Sequence, residues 1–76
     1  MKVFVIEAYG GPQATNGAIR HFTVQAEDID EAVALVRRSI SGAKYARFEL
    51  IEEAERAETD SSGIVDEGDG RYSKAP

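Results

Sequence analysis

Apolar and polar residues alternate in two segments near the N-terminus. Residues 2–9 and 19–26 are rich in β-branched and aromatic side chains, and they are separated by residues 10–17, a stretch with Gly10 at one end and Gly17 at the other. Alternation with a period of two is typical of half-buried strands. A glycine- and asparagine-containing stretch between two strands is typical of a turn or loop. The pattern therefore predicts two strands joined by a long hairpin loop.

Helical periodicity begins directly after the second predicted strand. Asp28 can accept hydrogen bonds from the free amides of a first turn, and Glu31 follows three residues later, as in a capping box. Arg37 and Arg38 come near the end, where cations favour the helix dipole, and Gly42 is the candidate left-handed cap. The pattern predicts one helix that ends at residues 41–42. Its apolar stripe consists of Ile29, Val33, Val36 and Ile40.

A third alternating segment, residues 45–52, follows the predicted helix. The first predicted strand is apolar on both faces, because Val3 and Val5 point one way while Phe4 and Ile6 point the other. A strand that is buried on both faces belongs in the centre of a sheet. The sequence therefore predicts a small two-layer α+β fold, β-β-α-β, whose three-stranded antiparallel sheet has the order 2-1-3 with the helix on one face. The expected shared core includes Phe22, Val33, Val36 and Phe48.

Residues 54–76 differ in composition from the rest of the chain. They hold few large apolar side chains, and their six acidic and three basic residues contribute −3 to the net charge of −5. Low hydrophobicity with excess acid is typical of disorder. The sequence predicts a compact domain over residues 1–53 and a flexible acidic tail over residues 54–76. An alternative is that residues 63–65 add a short edge strand or dock on a partner.

The overall composition limits the classes of function. A chain of 76 residues has room for one small domain, and the absence of cysteine excludes disulfides and a thiol nucleophile. The charge of −5 weighs against non-specific binding to nucleic acid or to an anionic membrane. The N-terminal apolar run is too short for a signal peptide or a membrane span. We therefore expect a cytoplasmic protein without membrane attachment.

Two features raise the question of ligand chemistry. His21 is the single histidine, and metal binding or acid–base catalysis would need further groups at a fixed spacing, which the sequence does not show. The loop over residues 10–17 lacks the lysine and the glycine spacing of phosphate-binding loops. The sequence predicts no catalytic, metal-binding or cofactor-binding residue, and hence a non-enzyme. A small-ligand or metabolite-binding protein that uses this loop and His21 remains an alternative.

A second alternative is nucleic-acid binding through the sheet face or through the end of the helix that carries Arg37 and Arg38. A small sheet with exposed aromatic side chains can stack single-stranded bases. Acidic residues intersperse the basic ones, which favours a mixed-charge surface instead. The residues that this alternative would use are Arg20, Arg37, Arg38, Lys44 and Arg47.

The leading hypothesis is a non-catalytic interaction module that self-associates and that could bind another protein. One helix covers only one face of a three-stranded sheet, yet the central strand is apolar on both faces, so an apolar patch is expected on the other face. Such patches usually mark interfaces, and two-fold dimers are the commonest solution. The candidate interface residues of this homodimer are Val3, Phe4, Val5, Ile6, Thr23, Tyr45 and Ile51.

Overall fold

The structure is a computed structural model that describes residues 2–11, 19–54 and 61–72. The remainder of the predicted hairpin loop and the other parts of the predicted tail, residues 55–60 and 73–76, lie outside the described residues. These described residues form four strands and one helix. They are β1 (Lys2–Tyr9), β2 (Ile19–Ala26), α1 (Ile29–Arg38), β3 (Arg47–Ala54) and β4 (Gly63–Asp69).

The four strands form one antiparallel sheet with the order β3-β1-β2-β4. The predicted α+β fold with one helix and an antiparallel sheet is confirmed, and β1 does lie between β2 and β3. The predicted count of three strands is wrong, because β4 pairs with the outer edge of β2. The disorder predicted for this part of the tail is therefore also wrong for residues 63–69. The division of the chain into a domain over residues 1–53 and a tail stays a prediction.

Strand β4 has a composition that is poor for a strand, and contacts with the rest of the sheet explain why it forms. Ile64 packs against the core, opposite Val24 of β2. Arg20 of β2 binds the carboxylates of Glu67 and Asp69. These partners lie more than 35 residues earlier in the chain, so the local composition of residues 54–76 could not indicate them.

The core lies between α1 and one face of the sheet. Phe4 stands opposite Val24 and Ile6 stands opposite Phe22, and all four side chains are buried. The set of β1 side chains that faces the helix is therefore the one that contains Phe4 and Ile6. Val33 and Phe48, which were predicted to be in the core, are only partly buried and pack at its margin. The other fully buried members are Ala8, Ala26, Ala32 and Val36.

The two ends of α1 differ in how well they match the sequence. Asp28 caps the start, since its Oδ1 accepts from the amide of Glu31 at 2.8 Å, as predicted. The helix ends at Arg38 with Ser39 as its cap, three to four residues before the predicted end at residues 41–42. The reason is that the amide and the hydroxyl of Ser39 both donate to the carbonyl of Val36, at 3.1 and 2.6 Å.

Gly42 serves a different purpose from the left-handed cap that the sequence predicted. Its φ is not positive, unlike that of Gly10, Gly11 and Gly70. A Cβ at this buried position would lie 2.1 Å from the carbonyl oxygen of Val36. Gly42 is therefore required by the lack of space in the turn after the helix, and the predicted conformational reason is wrong.

Candidate interaction surface

His21 lies on the sheet face away from the helix, opposite Glu7 of β1. Its Nδ1 donates to the carbonyl oxygen of Gly70 at 3.1 Å, and its ring meets the Tyr72 ring edge-on with the centroids 5.9 Å apart. The amide of Tyr72 donates to Oε2 of Glu7 at 3.0 Å. The His21 ring also covers Gly68, where a Cβ would come within 2.8 Å of this ring. Through these contacts, His21 and Glu7 hold the end of β4 and residues 70–72 against the sheet.

The described part of the glycine loop packs against the segment that precedes β3. Gly10 and Gly11 both have positive φ, which glycine adopts without strain. A Cβ on Gly11 would lie 2.6 Å from the carbonyl oxygen of Lys44, so this glycine also allows a close backbone approach. Within residues 2–11, 19–54 and 61–72, no cavity for a small ligand is present, and no three metal-ligating side chains come together.

Arg20 is held by two carboxylates of β4. Its guanidinium contacts Oε1 of Glu67 at 2.6 and 3.2 Å and also binds Asp69. The hydrogen bond from Arg20, and after it one from Ser41, lower the pKa of the Glu67 carboxyl below its ordinary value. The same bond to Glu67 raises the pKa of Arg20. Arg20 therefore belongs to a local ion-pair cluster with Glu67 and Asp69.

This cluster gives the protein a predictable response to acid. A carboxyl whose pKa is lowered by folding stabilises the fold above its ordinary pKa, here 4.5, and that contribution is lost as the pH falls through the lowered value. We expect Arg20→Met to reduce the thermal midpoint at pH 7, and the difference from the wild type to shrink below pH 4.5. Thermal unfolding of both proteins at pH 7 and pH 3 measures the difference in thermal midpoint. An equal difference at both pH values would assign the loss to packing of the arginine stem.

The remaining basic candidates lie around the start of β3. The Arg37 guanidinium stacks 5.2 Å from the centre of the Phe48 ring, and the ammonium of Lys44 lies 5.7 Å from that of Tyr45. The sequence has no acidic residue between positions 32 and 48. Arg47 lies on the sheet face opposite to Phe48, since it pairs with Tyr9 while Phe48 pairs with Ala8. The fourth basic residue is Arg38, whose Nε donates a hydrogen bond to the carbonyl oxygen of Ala34 in the same helix.

The candidate interface residues do not share one surface. Phe4 and Ile6 are buried under the helix, and Tyr45 is buried in the segment after it. Val5 does lie on the opposite face, but it is only 4% exposed. The centre of the expected apolar patch is therefore covered within one copy of the chain. The other three candidates are half-buried Val3 and Thr23 on that face, and exposed Ile51 on β3.

Strand β3 carries exposed apolar side chains, among them the predicted interface residue Ile51. It lies at an edge of the sheet and pairs only with β1 among the described strands. The side chains of Leu50 and Ile51, at the middle of the strand, are 44% and 40% exposed. The pairing of β1 with β3 shifts by one residue here, and Ile51 is the extra residue at this bulge. The result is an edge strand with two exposed aliphatic side chains at its centre.

Charge is distributed unevenly along β3. Its first residue is the exposed Arg47, and its acidic residues are Glu49, Glu52 and Glu53. Glu52 faces away from the helix opposite Val5, whereas Glu53 stands opposite Phe4 on the helix side. Acidic residues on both faces of a strand are a sign of an exposed strand, and this signal was available in the sequence. The strand begins with a basic residue, and its acidic residues are at the third, sixth and seventh positions.

Among the described residues, no helix has the length and apolar character needed to cross a membrane. Comparison of the chain with protein-family models, with curated proteins and with solved structures gave no match.

Proposed function

We propose that the protein is a non-catalytic interaction module that binds an extended protein segment along β3. The observation that carries this proposal is the edge position of β3 together with the exposure of Leu50 and Ile51. An unpaired strand edge presents backbone donors and acceptors to an added strand. In such strand addition the backbone bonds give affinity, and side chains at alternate positions give specificity.

The described part of the chain leaves room for such a partner beside β3. The helix packs mainly over β2, β4 and β1, so it does not cover the outer strand. Phe48 and Leu50 face the helix side of the sheet and form a small apolar surface beside α1. The Arg37 guanidinium lies over the Phe48 ring. An added strand would place apolar side chains on this apolar surface.

The opposite edge of the sheet is less suited to this role. Strand β4 also has a bulge with one exposed apolar residue, Val65, which is 45% exposed. The bulge is not flanked by a second exposed aliphatic side chain, and three of the seven residues of β4 are acidic. Glycines at positions 63 and 68 weaken it further as a template for pairing. Strand β3 is therefore the preferred binding edge.

Selection of binding peptides tests the proposal. Extended peptides from a random library would be selected on the immobilised wild-type chain, and their affinity would be measured for two variants. We expect Leu50→Lys combined with Ile51→Lys to weaken binding about tenfold or more, because charge and bulk then replace the apolar contact. The matched control is Val65→Lys, which changes an equally exposed residue on the other edge and should leave binding unchanged.

Chemical-shift changes on peptide addition locate the contact. Changes centred on the backbone amides of β3 would support the proposal. Peptides that bind both variants equally, or that shift only amides elsewhere, would refute it. Binding that depends instead on Arg37 and is specific for single-stranded RNA would favour the nucleic-acid alternative.

A further inference from the structure

We infer that the occupant of the β3 edge is a second copy of this chain, paired antiparallel to form a two-fold dimer with a continuous eight-stranded sheet. This inference rests on the proposed function of β3 as a binding edge. It names the partner and the direction of pairing. Three observations support it: the charge order along β3, the position of its exposed apolar residues, and the contrast with β4.

The charge order along β3 makes the strand complementary to itself in one direction only. Arg47 is at the start, and Glu53 is next to the end. In an antiparallel pair of copies with Leu50 at the two-fold axis, Arg47 of each copy stands opposite Glu53 of the other. Glu49 then stands opposite Ile51, so no two acidic residues are directly opposite each other. Opposite charges across two strands stabilise the pair, and like charges directly opposite destabilise it. A parallel pair would place Arg47 beside Arg47 and the acidic ends beside each other.

The apolar residues of β3 lie where the two-fold axis would pass. Leu50 and Ile51 are the two middle residues of this eight-residue strand, and both are exposed. With Arg47 opposite Glu53 of the other copy, the two Leu50 side chains would meet at the axis. Ile51 would lie next to them, and both aliphatic side chains would then lose exposure to water. A two-fold interface requires such a self-complementary patch.

The contrast with β4 explains why pairing would stop at two copies. The acidic residues of β4 are Asp66, Glu67 and Asp69, and the strand has no basic residue. Arg20 binds two of them from the neighbouring strand, and Asp66 has no ion-pair partner among the described residues. Two copies of β4 would repel each other in either direction. Only one edge of the sheet is then self-complementary, and the assembly closes as a dimer.

The expected dimer is weak and sensitive to salt. A single pair of eight-residue strands buries less surface than a standard interface of roughly 1,600 Å². Its charge pairs are exposed, so salt screens them. We therefore expect association at concentrations of roughly 0.1 mM, and weaker association at high ionic strength.

Charge exchange tests the pairing with the full chain. Sedimentation equilibrium of the wild type should give a dimer at the higher concentrations. Arg47→Glu and Glu53→Arg, each alone, should weaken the dimer about tenfold, since each creates two pairs of like charge across the axis. An equimolar mixture of these two variants should dimerise again, because one copy then carries only acids at the two positions and the other only bases. The double variant should also dimerise.

Several outcomes would overturn the inference. A monomeric wild type at the highest concentration would exclude the second copy, while peptide binding at β3 would still support the proposed function. A wild-type dimer that both single variants leave intact would place the interface elsewhere, as in the sheet-face dimer that the sequence predicts. Failure of the mixture to dimerise would contradict the antiparallel pairing, since circular dichroism establishes separately that each variant is folded. Asp66→Arg is the control, because it makes the same charge change on β4 and should leave the dimer unaffected.

Discussion

Replacing Phe22 by alanine is expected to reduce the free energy of unfolding by about 3–5 kcal/mol. The Phe22 side chain is fully buried, stands opposite Ile6 in the sheet, and belongs to the cluster that α1 covers. Truncation removes apolar burial and leaves a cavity that the neighbouring β-branched side chains fill poorly. For a small domain, which is stable by only about 5–15 kcal/mol, this loss is a large part of the total. Urea denaturation followed by circular dichroism measures it.

Phe48→Ala is the matched comparison. The sequence placed both rings in one core, but Phe48 is half-buried at the margin, and one of its contacts is the exposed Arg37 guanidinium. We expect a loss of about 1–2 kcal/mol, because less apolar surface returns to water. Equal losses for the two variants would show that the margin of the core is as well packed as its centre.

Removal of residues 61–76 is expected to lower the free energy of unfolding by about 3 kcal/mol, which corresponds to roughly 12–24 °C in thermal midpoint for a domain of this size. The deletion takes away all of β4 and leaves β2 as an unpaired edge. It also removes the packing of Ile64 on the core and the carboxylates that bind Arg20. Thermal unfolding of the full-length and shortened chains gives the difference.

The control for this deletion removes only residues 73–76, which leaves β4 intact and should not change the midpoint. The sequence alone predicts that neither deletion matters, because it treats residues 54–76 as a separate tail. An unchanged midpoint after the longer deletion would support that division of the chain and would mean that β4 contributes little to stability.

The elements that the sequence predicts well are those whose signals lie within a few residues of each other. Asp28 and Glu31 mark the start of α1 through contacts three residues apart. The alternation of Phe22 and Val24 with polar residues identifies β2 and its buried face. The two-sided apolar pattern of β1 identifies the central strand. Each of these patterns reflects burial on one side of a single element, so it can be recognised without knowledge of the fold.

The features that the sequence missed depend on distant partners. Strand β4 forms because Arg20 and Val24 lie beside it, and neither is near it in the chain. Leu50 is exposed although it faces the helix side of the sheet, because α1 packs mainly over β2, β4 and β1. Gly42 is needed because its Cα lies close to the Val36 carbonyl, and only the folded turn brings these two groups together. The candidate surface at β3 depends on these tertiary relations, so local patterns gave only its acidic character.

The order β3-β1-β2-β4 also has a consequence for how the sheet can come apart. The last strand of the chain pairs only with β2 at one edge, while β1 joins β2 and β3 in the middle. Opening of β4 breaks one ladder and leaves the other two intact, so it is a sub-global event that needs less free energy than complete unfolding. During such an opening, β2 becomes a second free edge beside the buried core. The acidic, glycine-containing β4 thus covers the edge of β2, the strand that carries the buried Phe22 and Val24.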